Sequence, residues 1–183
     1  MKRLKRLSVA AVALGTLGPS AVGHAAFSGP SDAKVIFEAS GPAGLKIDGR
    51  TPDLAVTEDG GNVVITVPLA NLSTGIELRD RHMKEKYLEV PKFPSAVLIV
   101  ARAALKLPPT GRVEGDVQGA VKLHGQSHPV SVHFDATAEG AGVAAHGKFR
   151  INMNDFGIVV PSYLGVTVKP DVDVSASFHV AGN

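Results

Sequence analysis

The sequence predicts an all-β domain: eight antiparallel strands closed into a barrel, with one short helix, about residues 76–88, covering the mouth. Three observations carry this. Apolar and polar residues alternate with period two through most of the chain beyond residue 33, which gives each strand one dry and one wet face. Turn signals such as Asp59-Gly60-Gly61 and Pro108-Pro109-Thr110-Gly111 separate the alternating runs at hairpin spacing. A single internal stretch reads as helix. A two-sheet sandwich is the alternative arrangement; closure is preferred because it removes exposed strand edges.

The first 25 residues read as a cleavable export signal. Lys2, Arg3, Lys5 and Arg6 form a positive start, Leu7 to Leu17 is an apolar run too short to span a bilayer, and Gly23 and Ala25 suit a cleavage site. Residues 26–183 then form one domain, long enough for a real core. Four of the 19 Lys and Arg lie in the leader and no acid does, so the remainder carries 15 bases against 17 acids. The basic character belongs to the leader, and nothing in the balance points to nucleic acid. The chain has no cysteine, which excludes disulfides and a lipid-modified cysteine anchor. Export without disulfides and without a stable membrane anchor places the protein in the periplasm of a bacterium, or secreted from it.

Taken in order, Val35, Phe37 and Ala39 share one face of a first strand, and Leu45, Ile47 and Gly49 one face of a second. Leu54 and Val56 follow, then Val63, Ile65, Val67 and Leu69 in phase. Ala96 to Leu107 is apolar and extended. Val113, Gly115, Val117, Gly119, Val121 and Leu123 oppose Glu114, Asp116, Gln118 and Lys122, and His124 to His128 is a turn. Val130 to Ala138, Val143 to Met153 and Val166 to Val180 repeat the alternation.

The helix is delimited by Gly75 and by Val90-Pro91, since a residue before proline disfavours helical backbone. Between Glu77 and Leu88 neither Gly nor Pro occurs, and strong helix formers recur. Met83 and Tyr87, four apart, share a face.

The dry face is rich in small residues: Gly115, Gly119, Ala136, Ala138, Ala145, Gly147 and Ala176. Two readings stay open. Small inward residues leave a lumen for one slender ligand, or glycines mark bends and close packing, in which case the filled barrel is an interaction protein, envelope or stress-related, with no lumen ligand. A lumen walled by Val, Leu, Ile and Phe suits a long hydrocarbon, each buried methylene contributing ~0.8 kcal/mol. The lining candidates are Phe37, Ile47, Val63, Ile65, Val67, Leu98, Val117, Phe134, Phe149 and Phe178 on strands. Met83, Tyr87 and Phe93 join them from the helical segment. Phe156, Ile158, Tyr163 and Leu164 come from an apolar stretch, Phe156 to Leu164, without strict alternation, which either lines the entrance or packs as a loop in the core.

Metal and catalytic sites are not expected. His82, His124, His128, His133, His146 and His179 lack metal-ligand spacing and read as solvated. Asp80 and His82 sit two apart on a helix and point away from one another. Capping and ion pairing of Arg79 or Arg81 with Asp80, Glu77, Glu85 or the Asn154-Asp155 loop account for that cluster. No nucleophile-elbow, phosphate-loop or dinucleotide motif is present.

Several segments together resemble the YceI family of exported, lipocalin-like proteins that bind polyisoprenoid lipids. They are Leu72-Ser73-Thr74-Gly75, Arg79-Asp80-Arg81-His82-Met83-Lys84, Tyr87-Leu88, Phe93-Pro94, Val117 to Gly125 with Pro129-Val130, Phe149-Arg150-Ile151 and Asp155-Phe156-Gly157-Ile158. The resemblance covers nearly all of residues 26–183. It implies an eight-stranded barrel with an isoprenoid tail, such as that of a quinone, in the bore; no cofactor and no catalytic residues; and a homodimer, as members of the family often form. One departure concerns the end of the first strand. The family commonly has a histidine there, whereas this chain reads Glu38-Ala39-Ser40-Gly41-Pro42-Ala43-Gly44, which bears on headgroup preference.

Overall fold

The computed structural model of the protein describes residues 30–163 and 165–181; the export signal assigned to residues 1–25 lies outside them. The strands are β1 (Ser31–Ser40), β2 (Lys46–Thr51), β3 (Ala55–Asp59), β4 (Asn62–Pro68), β5 (Ser95–Ala101), β6 (Arg112–Leu123), β7 (Gln126–Glu139), β8 (Gly142–Asn152), β9 (Ser162–Tyr163), β10 (Val166–Thr167) and β11 (Asp171–Ala181). Nine of them make one curled antiparallel sheet in the order β2-β1-β11-β8-β7-β6-β5-β4-β3; β9 and β10 pair separately.

The two ends of that order are neighbours in sequence. Thr51 and Ala55 are four Cα steps apart, so β2 and β3 lie within ~15 Å of one another and the sheet must curl back upon itself. β2 is laced to β1 and β3 to β4, and counting the pair as one bent strand gives the eight of a barrel. The bend has a local cause. Pro52 offers no N–H to a ladder, and buried Thr51 turns its hydroxyl to accept from the Asp53 N–H at 3.1 Å. Where β2 lacks a strand neighbour, Ser73 exchanges two backbone hydrogen bonds with Arg50, at 2.8 and 3.0 Å.

Two expected strands prove shorter, and a third longer. The apolar run 96–107 leaves the sheet after Ala101 for a 3₁₀ turn at Arg102–Ala104. The run 166–180 is cut in two, because Pro170 interrupts the ladder before β11. The turn at 124–128 shrinks to His124 and Gly125, both at positive φ (50° and 78°), so β7 already begins at Gln126. Glycine is needed at 125 for a second reason. A Cβ there would come within 2.8 Å of the Phe93 ring.

The helix is α1 (Glu77–His82), which widens into a π-turn over Met83–Tyr87. It ends where Glu89 adopts a left-handed φ of 45°, with the Val90 N–H closing back onto the Lys84 carbonyl at 2.8 Å. No helix among the described residues is long and apolar enough to cross a membrane.

The main cluster of buried side chains lies toward the helical end, around Leu69, Leu72, Val121, Leu123, Met153, Phe156 and Ile158. A smaller one, Val56, Val63 and Val180 with Leu105 and Phe178 against it, closes the opposite end. There Arg102 pins its segment down. Its backbone N–H reaches the Gly61 carbonyl at 2.9 Å, and its guanidinium bonds Glu58 at 3.0 Å and the Leu105 carbonyl at 3.3 Å.

Candidate functional site

Inside the curled sheet runs a cavity of about 980 Å³. Its walls are the dry faces of the strands, continuous from Ile76 and Leu78 at the helical end to Leu105 and Leu107 at the other. Four apolar lining residues are also exposed: Ile76 (53%), Leu78 (52%), Val166 (43%) and Leu45 (37%). All four stand at the helical end, which identifies the mouth.

The small inward residues do both things open to them. Gly49 has its place taken, since the Phe37 ring opposite lies where a Cβ would be, 1.9 Å from it, and Gly119 is covered by the Ile99 carbonyl oxygen, Val100 and Leu98. Gly115 and Gly147 meet only ordinary contacts, with Phe134 at 3.8 Å and Val132 at 3.5 Å. Part of the glycine space is packing, and at Gly147 it is bore.

The helix is held over the mouth by Asp80. Its carboxylate accepts from the Ser73 hydroxyl at 2.6 Å, from the Thr74 N–H at 2.7 Å and from the Thr74 hydroxyl. Burial acts to raise the Asp80 pKa, but these hydrogen bonds, with the charge of Lys84, outweigh it and hold the carboxyl below its usual value. Arg79 grips the same residue, its Nε donating to Thr74 Oγ1 at 2.8 Å and its Nη2 to the Thr74 carbonyl at 3.0 Å. Among the described residues neither Arg79 nor Arg81 forms the ion pairs expected from the sequence. The loop, not another charge, is the partner.

The family whose description is YceI-like domain matches residues 29–180. The chain belongs to the YceI family. A relative in Pseudomonas savastanoi pv. phaseolicola, the UPF0312 protein, is 30% identical over 137 residues, 70% of this chain and 67% of the relative. Among solved structures, a polyisoprenoid binding domain from Saccharophagus degradans, implicated in plant cell wall breakdown, superposes with a TM-score of 0.70. It is 16% identical, over 84% of this chain and 96% of that one. Burkholderia cenocepacia BcnA superposes at 0.65 with 16% identity, over 80% and 95%. At these identities the structures share the fold.

In this YceI chain the sequence-derived lining residues divide. Phe37, Ile47, Val63, Ile65, Val67, Met83, Tyr87, Leu98, Val117, Phe134, Phe149, Ile158 and Phe178 all border the cavity. Phe93 and Phe156 do not. Phe93 stacks on His124 with ring centres 4.5 Å apart, and Phe156, 1% exposed, is buried against the His128 edge at 5.1 Å. Phe93 sits in a turn and Phe156 ends a 3₁₀ turn, Met153–Phe156, where period two does not sort inward from outward. The Tyr163 side chain and Leu164 lie outside the described residues.

His124 also departs from the solvated reading. It is half-buried, with Nδ1 3.0 Å from the Phe156 carbonyl oxygen and Nε2 2.9 Å from Glu89, and so ties the end of the helical segment to the hairpin. Residues that the sequence reading left out of the lining include Ile76, Leu78, Arg79, His82 and Lys86 on the helix and Leu105 and Leu107 at the floor. For the helix a signal existed. Continuing the Met83–Tyr87 face four residues toward the N-terminus reaches Arg79.

Proposed function

We propose that this protein is exported and holds one long apolar lipid, isoprenoid in type, along its bore, carrying or storing it across an aqueous compartment. The observation that supports this best is the continuous apolar cavity with a single exposed apolar mouth. Its volume lies at the upper end of small-ligand pockets, roughly 300–1,000 Å³. Each methylene brought in from water contributes ~0.8 kcal/mol, so a chain of tens of carbons is held strongly with few polar contacts. The polyisoprenoid ligand named for the Saccharophagus degradans domain supports the tail class.

The reading is one of binding and not of turnover. Asp80, the acid nearest to a histidine on the helix, is occupied with Ser73 and Thr74, while His82 borders the cavity. The test is organic extraction of the purified protein followed by mass spectrometry. A long-chain lipid at about one per chain is expected. Extracts that stay empty from protein made in several lipid-rich hosts sink the proposal.

A further inference from the structure

The helix sorts its charges between two sides. Arg79, His82 and Lys86 border the cavity. Glu77, Asp80 and Glu85 border a separate polar notch on the outside, together with Arg81 and Lys84. Residues 79 and 82, and 82 and 86, are three and four apart and are therefore neighbours on a helical surface. An apolar bore thus opens through a doorway that carries two permanent positive charges and an imidazole, with no carboxylate from its own helix.

The lining elsewhere does not cancel this. Among the described residues Asp135 is the only acid on it. That residue belongs to β7 and is already engaged by Arg112 at 2.7 Å, with His146 at 3.7 Å. Its ladder partner on β6 is Glu114, well away from the His124-Gly125 turn at the helical end. Arg79 is fixed by two hydrogen bonds to Thr74, so one member of the cluster is positioned before any guest arrives. Lys86 and His82 are exposed and able to close on a head at the rim. Arg79 shares the Thr74 hydroxyl with the Asp80 carboxylate, whereas His82 and Lys86 have no acid partner among the described residues. Such a cationic rim beside an apolar wall is matched by an amphiphile whose tail is hydrocarbon and whose head is an anion, because charge-assisted hydrogen bonds are roughly twice as strong as neutral ones.

We infer that the guest bears an anionic head, a carboxylate or a phosphate, seated at the mouth against Arg79, His82 and Lys86, in place of a neutral head such as a quinone ring. This rests on the lumen reading above and narrows its ligand class.

The test uses tail-matched pairs: geranylgeranyl phosphate against geranylgeraniol, and oleate against oleyl alcohol. The purified protein is first passed over a lipid-stripping hydrophobic resin. Each ligand then displaces the neutral probe N-phenyl-1-naphthylamine, whose fluorescence is read without tryptophan background because the chain has none. In at least one pair the anion is expected to bind about tenfold or more tightly than its alcohol, the effect of one charge-assisted hydrogen bond. The pair that discriminates tells phosphate from carboxylate. In a His82→Gln, Lys86→Gln double variant, which leaves the anchored Arg79 in place, the ratio of anion to alcohol affinity should shrink severalfold.

Equal affinity within both pairs, or a preference that the double variant leaves intact, overturns the anionic-head assignment and leaves the lumen standing. Failure of all four ligands to displace the probe overturns the lumen, and the head assignment with it.

Discussion

Replacing Asp80 with alanine tests whether the helix is held by one carboxylate. Three donors converge on that side chain, the Ser73 hydroxyl and the Thr74 N–H and hydroxyl. A hydrogen bond to a charged group contributes about 1.5–3 kcal/mol net. Because Asp80 is only partly buried, water replaces some of what is lost, and we take about 2–3 kcal/mol for the three together. With a urea slope of about 2 kcal/mol per molar, the unfolding midpoint falls by about 1–1.5 M at neutral pH, read by far-UV circular dichroism. The pH dependence follows from the depressed carboxyl. Its folded pKa lies below its unfolded one, so its contribution is complete above the unfolded value and disappears as pH falls through the folded value. Wild type and Asp80→Ala should therefore draw together in acid. A midpoint change under about 0.3 M at neutral pH, or a gap that does not narrow at all as the pH is lowered into the acid range, refutes the reasoning.

Two further outcomes follow from the walls of the bore. Gly49→Ala places a Cβ where the Phe37 ring lies; an exchange that ordinarily helps a strand by about 0.5–1 kcal/mol should here cost about 1–3 kcal/mol. Scanning calorimetry should record a lower melting temperature, and a rise would show that the ring yields freely. Gly147→Phe adds a ring at a lining position with only ordinary contacts nearby. The protein should still fold, yet yield far less extractable lipid; undiminished lipid would mean that the guest lies elsewhere.

The strand faces were legible because period two survives wherever a strand is wet on one side and dry on the other. Phe134 and Phe149 fall inward on the same logic as Val117. Strand ends were less legible. Leu105 and Leu107 continue the apolar composition of β5 but belong to the floor, where burial is needed without pairing. The single strand expected over 166–180 breaks at Pro170, and its earlier part serves a two-strand flap. The least legible feature was which side of the helix looks inward. From the sequence His82 reads as solvated and Arg79 as an ion-pair partner; the bonds of Ser73 and Thr74 to Asp80, with those of Arg79 to Thr74, are what hold this face to the mouth. Loop aromatics such as Phe93 depend on tertiary neighbours, here His124, which sequence spacing does not encode.

The kink at Pro52 leaves the tube with an oblique slit. Above it, among the described residues, β2 meets the far side through the Arg50–Ser73 backbone pair, with Asn71 donating to Asp53 at 2.6 Å beside the kink, and below it β3 has no ladder partner but β4. Everywhere else, swelling the circumference would unzip whole rows of amide bonds; along this line it parts one backbone pair and one side-chain bond. Girth can therefore adjust along this line, like a garment left unbuttoned, without unravelling the weave around it.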